Sequence, residues 1–299
     1  TSRDATSQTA YEIRVASTPE ALGKGSPLVW SSGVVRSARS NQVPYGGKPL
    51  ASRQRVYWQV RLWDNHGQVS GWSKPAWWET GLLYPADWTA SWITSGFRED
   101  TLVSQPSPYF RRAFRLDKPV RSARLYATSL GLNDLFLNGE PVSDQVFAPG
   151  WTSYNKRLQY HTFDVTAELR QGDNAVGAIL GDGWYRGHIG WEDYNRNRYG
   201  TRLGLLLQLE VTFQDGTTKT ISSGPGWKVS RGPILSSDIY DGEFYDATRA
   251  LRGWAGPGYD DHAWKPAVTL DHTKATLVAA SSPPVRRVRQ IRPVRLFTT

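Results

Sequence analysis

Apolar and polar residues alternate with a period of two along most of this chain. In VYWQVRLW (56–63), Trp58, Val60 and Leu62 fall on one face of an extended strand, and Tyr57, Gln59, Arg61 and Trp63 fall on the other. Residues 121–128 repeat the pattern, with Ala123, Leu125 and Ala127 opposite Arg124, Tyr126 and Thr128. The run Leu135-Phe136-Leu137 leads into Asn138-Gly139, a strong hairpin-turn dipeptide. LGLLLQLEVTF (203–213) predicts a long strand ended by Asp215-Gly216. Only DVTAELR (164–170) has helical spacing, for two turns at most. Short strands separated by Gly, Asn and Asp turns predict an all-β chain of sandwiches.

The pattern breaks near LLYPADWTASW (82–92), which predicts a domain boundary. Residues 1–83 have the size of one fibronectin/Ig-like β-sandwich, which is expected to lack its opening strand and so to have an unpaired edge. Residues 84–278 fit a larger, galactose-binding-like jelly roll. Residues 279–299 read as an exit linker, because Pro283, Pro284 and Pro293 suit an extended segment better than a buried ladder.

Composition removes several functional classes. The chain has no cysteine, so neither disulfides nor thiolate metal sites can form. No apolar run is long enough to span a bilayer as a helix, and no membrane partner is expected. The start lacks an apolar signal core, so the numbering is expected to begin inside a longer chain. Five of the positive charges behind the net +9 are Arg286, Arg287, Arg289, Arg292 and Arg295, a basic tail on a nearly balanced body. Nucleic acid is not the expected partner. The five histidines have neither HxH nor HExxH spacing, which argues against zinc. Many acids sit in loops, but no spacing singles out the carboxyl pair that a glycosidase needs.

What remains is an excess of tryptophan, 14 in all, and one dense segment, GDGWYRGHIGW (181–191). Sugar rings stack their C–H faces on aromatic side chains and need paired donors and acceptors for their hydroxyls. Trp184, Tyr185 and Trp191 could stack, and Asp182 could accept a hydroxyl. The competing reading has Trp184 plugging the end of the sandwich while the glycines serve its bends. A calcium ion needs six to eight oxygen ligands. Asp173-Asn174, on a tight turn, are the best local pair, and the Pro233 carbonyl could join them if its loop lies beside that turn. The alternative for Asn174 is a turn lock bonding its own backbone. Asn133 and Asp134 add further oxygen. For the acids of 238–246, an internal bridge to Arg249 competes with ligand contact.

Several segments together resemble one family. TAYEIRVASTPEALGKGSPLVWSS (9–32), YWQVRLWDNHGQVSGWS (57–73) and WWETGL (77–82) are similar to the N-terminal fibronectin-like domain of bacterial α-L-rhamnosidases. GLNDLFLNGEPVSDQVFAPGWTSYNKRLQYHTFDVTAELRQGDNAVGAILGDGWYRG (131–187) and GPILSSDIYDGEFYDATR (232–249) resemble the accessory jelly-roll module of the same enzymes. The resemblance implies a non-catalytic, calcium-dependent module binding L-rhamnose or rhamnosylated glycans, with the inverting hydrolase's helical barrel and remaining domains elsewhere in the parent. The substrate class implies secretion. The alternative is a structural or active-site-completing pair of domains without its own sugar site.

Overall fold

In a computed structural model, the protein is described for residues 7–23, 25–190 and 195–295. The chain divides into two compact units, residues 1–84 and 85–299. The first is built on strands β1 (Gln8–Ala16), β2 (Trp30–Ser31), β3 (Val35–Arg36), β4 (Arg55–Asp64) and β5 (Ala76–Glu79). All five lie in one antiparallel sheet, ordered β2-β1-β4-β5 with β3 also on β1. The register sets Tyr11 opposite Leu62, Ile13 opposite Val60 and Val15 opposite Trp58, so the alternating apolar positions share one face.

The second unit begins with β6 (Ile93–Thr94), β7 (Pro108–Leu116), β8 (Val120–Leu130), β9 (Leu132–Leu137) and β10 (Glu140–Pro141). It continues with β11 (Leu158–Asp164), β12 (Gly172–Gly181), a one-turn helix α1 (Gly183–Arg186), β13 (Gly204–Phe213) and β14 (Thr218–Ser222). Strands β15 (Lys228–Arg231), β16 (Ile234–Asp238), β17 (Gly242–Tyr245), β18 (Lys265–Pro266), β19 (Val268–Thr269) and β20 (Leu277–Ala279) complete it. One sheet runs β10-β9-β12-β7-β15-β18; the other runs β19-β6-β13-β8-β11-β20, with β14 on β13. Between them lies the core, where Leu125 and Ala127 of β8 and Leu205, Leu207 and Leu209 of β13 meet Val176, Ala178 and Leu180 of β12 and Phe110 of β7. This is the two-layer solution for sheets with one apolar face each.

The Asn138-Gly139 hairpin forms with both residues at positive φ (54° and 95°), as a type I′ turn requires. DVTAELR is not helical: Asp164 ends β11 and its carboxylate accepts hydrogen bonds from the amide and hydroxyl of Thr166, so local bonding wins over helical spacing. The helix that does form, α1, is too short for any periodic signal. The stretch from 279 is tied to the second unit. Ala279 lies in β20, Arg286 pairs with Gln145 and bonds Asp144 at 2.6 Å, and the Arg287 amide donates to Asp144.

Candidate functional site: an aromatic rim beside a polar cleft

The segment after β12 turns inward before it turns outward. Asp182 is 1% exposed, and its carboxylate accepts from Ser104 Oγ (2.9 Å), Arg186 Nε (2.7 Å) and Arg196 (2.7 Å). Arg196 also donates to Asp238 (2.9 Å), whose carboxylate takes the amides of His188 and Tyr240 as well. Arg186, equally buried, reaches Glu99. Three acids and two arginines thus meet inside the protein, with one net negative charge. Such a cluster persists only when every charge is paired and hydrogen-bonded.

The glycines serve this packing. Gly183 has φ 53°, and a Cβ there would sit 2.5 Å from Leu132. At Gly187 a Cβ would meet the Asp238 carboxylate at 2.6 Å.

Two of the predicted sugar contacts are therefore corrected. Asp182 is buried with its oxygens taken by Ser104, Arg186 and Arg196. Tyr185 is 6% exposed and packs edge-on against Tyr154, with ring centroids 5.4 Å apart. Trp191 lies outside the described residues. Trp184 behaves differently: it is only partly buried and lies parallel to Trp151, with centroids 5.7 Å apart and planes inclined by 5°. Trp151 is half exposed, and its indole N–H donates to the Tyr199 hydroxyl at 3.2 Å. Phe147 joins them at 5.9 Å from Trp184, half exposed at φ 61°, a backbone conformation that costs a bulky residue energy.

Phe147 is also one wall of a cleft of about 270 Å³, lined further by Asp134, Ile179, Ser237, Glu243 and Arg287. Asp134 projects from β9 on the face opposite buried Leu135. Burial raises its carboxyl above the usual range, against the opposing pull of Arg287. Burial likewise pushes the Tyr109 phenol up, and Tyr245, Glu243 and Asp134 add to the shift. An aromatic rim next to two carboxylates and a guanidinium can stack a sugar ring and bond its hydroxyls in both directions. The sequence offered Asn133-Asp134 only as extra oxygen. Phe147, Trp151 and Arg287 carried no local signal, because they meet Trp184 and Asp134 only through the tertiary fold.

The expected ion site does not assemble. Asn174 is fully buried: its amide oxygen accepts from Asn138 and the Arg170 amide, and its nitrogen donates to the carbonyls of Arg170 and Gly172. It is a turn lock, with no oxygen left for a metal. Asp173 points to solvent and pairs with Arg115 at 3.0 Å. Pro233 follows β15, whose Arg231 pairs with Pro108, at the other end of β7 from the Arg115–Asp173 pair. That separation is about 23 Å at 3.3 Å per strand residue. The Pro233 carbonyl is taken by the Asp246 amide. These three residues cannot share one calcium ion. Among the described residues, one other group, His188, Asp238 and Asp241, brings three ligand atoms within 4.8 Å of one another. There the Asp238 oxygen is held by Arg196 and His188 Nδ1 by Asp241, a poor setting for an all-oxygen ion such as calcium. At 246–249 the internal bridge forms, Arg249 to Asp246 at 3.2 Å.

Comparison with known proteins gives this architecture its relatives. Residues 118–289 match the family described as the alpha-L-rhamnosidase N-terminal domain, and residues 1–84 match the Rha78A-like, N-terminal immunoglobulin domain. An α-L-rhamnosidase of Alteromonas sp. is 39% identical over 97% of this chain and 32% of its own length. One from Formosa agariphila is 41% identical over 87% of this chain and 28% of its own. The crystal structure of Streptomyces avermitilis α-L-rhamnosidase complexed with L-rhamnose superposes with a TM-score of 0.85 at 29% identity, over 97% of this chain and 44% of that one. The chain thus spans about a third of the length of the curated relatives it matches. The alignment with the Streptomyces protein runs over 458 residues to cover this chain, so that relative carries within the same span additional sequence of domain size. With its two units matched in order, the chain belongs to the α-L-rhamnosidase N-terminal domain family.

Proposed function

We propose that this chain is the non-catalytic N-terminal region of an α-L-rhamnosidase, and that its second sandwich holds rhamnose-bearing glycan at the Phe147–Trp151–Trp184 rim. One observation carries the reading: an exposed Trp151, stacked on the partly buried Trp184, and a strained, exposed Phe147 stand at the edge of a cleft lined by Asp134, Glu243 and Arg287. Large aromatics left at the surface beside convergent polar groups mark a ligand-facing surface. The 6-methyl of a deoxyhexose suits Phe147 and Ile179, and its hydroxyls suit the carboxylates. Held there, the substrate would be kept near catalytic domains elsewhere in the parent, raising its effective concentration. Such a role places the parent outside the cell, where plant glycans are met.

Titration of L-rhamnose and of a rhamnosylated oligosaccharide, followed by tryptophan fluorescence and calorimetry, tests this. Weak saturable binding is expected, lost in Trp151→Ala without a change in melting temperature. Binding is expected to be the same with calcium and with chelator. Equal binding by Trp151→Ala and the wild type would sink the rim, and binding that disappears with chelator and with Asp173→Ala would restore the calcium model.

A further inference from the structure

The register of β15 and β18 gathers positive charge at one edge of the second sandwich. Val229 and Arg231 share a face of β15, and Lys265 of β18 stands opposite Val229, so both cations lie on the side that Val229 turns to the core. Phe97, which follows β6 of the other sheet, packs against that core and meets both of them. The Arg231 guanidinium lies 4.9 Å and the Lys265 ammonium 5.8 Å from its ring centroid. Arg98 is next in the chain, and its carbonyl accepts from Arg231 at 3.5 Å. These residues, with Ala263, line an open cleft of about 420 Å³. Cations nearby on β15 and β7 have acids: Lys228 and Arg111 share Asp261, and Arg115 holds Asp173. Among the described residues, no carboxylate pairs with Arg98, Arg231 or Lys265.

Three like charges held around one concave surface repel one another, and an entering anion relieves that cost. We infer that this edge cleft is a binding site for an oxyanion carried on a saccharide, either a uronate carboxylate or a sulfate ester. A guanidinium takes such a group through two parallel N–H bonds, and an ammonium beside it adds a point charge. The cleft is larger than one oxyanion fills, and Ala263 and Phe97 offer apolar atoms to the C–H surface of the ring that bears it. Phe97, the aromatic ring of the cleft, is taken up by the two cations, so no platform remains for stacking a nucleic-acid base. The site is separate from the aromatic rim. Strands β12 and β7 stand between β15 and β9, which carries Asp134, a gap of three strand spacings or about 14 Å. The choice of a saccharide rests on the proposed glycan-holding role; the anion site does not.

Calorimetric titration with a neutral oligosaccharide, with its uronic-acid and sulfated analogues, and with sodium sulfate tests this at low and high salt. Saturable binding of a charged analogue and none of the neutral one is expected, and the analogue that binds identifies the group. Binding should weaken several-fold in Arg231→Gln and in Lys265→Gln, further in the double variant, and with added salt. The melting temperature should not change, because both side chains are exposed. Trp151→Ala is expected to leave this binding as it is, so loss of the rim and loss of the cleft are read separately. Arg289→Gln, which removes one exposed charge from the basic tail, is expected to bind as the wild type does. Equal weakening by Arg289→Gln would overturn the inference, since net charge and not a site would then hold the anion. So would unchanged binding in the double variant, or no binding of either charged analogue. Sodium sulfate or a polyglutamate peptide binding as tightly as the charged saccharide would overturn the saccharide as its ligand.

Discussion

Asp182 was a candidate sugar ligand in the sequence, and the fold makes it the keystone of a buried charge cluster. Asp182→Ala leaves Arg186 and Arg196 with one acid each, Glu99 and Asp238, at sites where both arginines are almost wholly shielded from water. Each arginine keeps a partner, but Ser104 Oγ, Arg186 Nε and one Arg196 nitrogen lose their acceptor inside the protein, and breaking such a buried charge pair costs about 3–5 kcal/mol. For a domain of this size, each kcal/mol moves the melting temperature by about 2–4 °C, so the second unit should melt about 6–20 °C lower. Asp182→Asn keeps an acceptor for Ser104 and one arginine and should fall between the two. The loss should persist at high salt, since buried pairs are poorly screened. Scanning calorimetry in low and high salt reads all three. A shift under about 2 °C for Asp182→Ala, or one that salt abolishes, would show that these charges are hydrated and that the cluster is not what fixes the loop.

The remaining predictions follow from the same geometry. Asp173→Ala, which removes an exposed partner of Arg115, should change stability by no more than about 0.5 kcal/mol, and calcium should not raise the melting temperature of either protein. His161 is held below its ordinary pKa chiefly by burial, against the hydrogen bond to the Pro149 carbonyl. The unfolded chain therefore takes up the proton first as pH falls below about 6.5; the stabilisation is full above that pH and is lost towards the folded-state pKa. His161→Gln should flatten that part of a urea-unfolding series against pH.

Periodicity made the fold legible because each strand here buries one face. The period-two stretches at 56–63, 121–128 and 203–213 are strands β4, β8 and β13, and Asn138-Gly139 and Asp215-Gly216 close hairpins. The site was legible only in part. Asn174 looked like a metal ligand because its type and turn position suit one, and only the partners from Asn138 and Arg170 show that its amide is spent. Tyr185 and Asp182 shared a motif with Trp184, but a one-turn helix points successive side chains in different directions, so neighbours in sequence separate into core and surface. Trp151 and Arg287 came from more than thirty and a hundred residues away. A pattern read along one chain segment holds no record of such meetings.

That division within one short helix couples the charge cluster to the rim. Trp184 faces out because Tyr185 and Arg186, on either side of the helical turn, are drawn in, Arg186 by Asp182 and Glu99. The Tyr185 carbonyl also accepts the amide of Tyr199, whose hydroxyl receives the indole N–H of Trp151. The stacked pair is thus held from both sides by groups that no sugar touches. Arg186→Lys keeps the charge but loses the planar fork that reaches two carboxylates at once. The helix should then tilt, the stack should open, and rhamnoside affinity should fall several-fold with both tryptophans still present, accompanied by stronger acrylamide quenching. If Arg186→Lys lowers the melting temperature yet binds rhamnosides as the wild type does, the cluster supports the fold alone and the rim owes its geometry to the 147–151 loop.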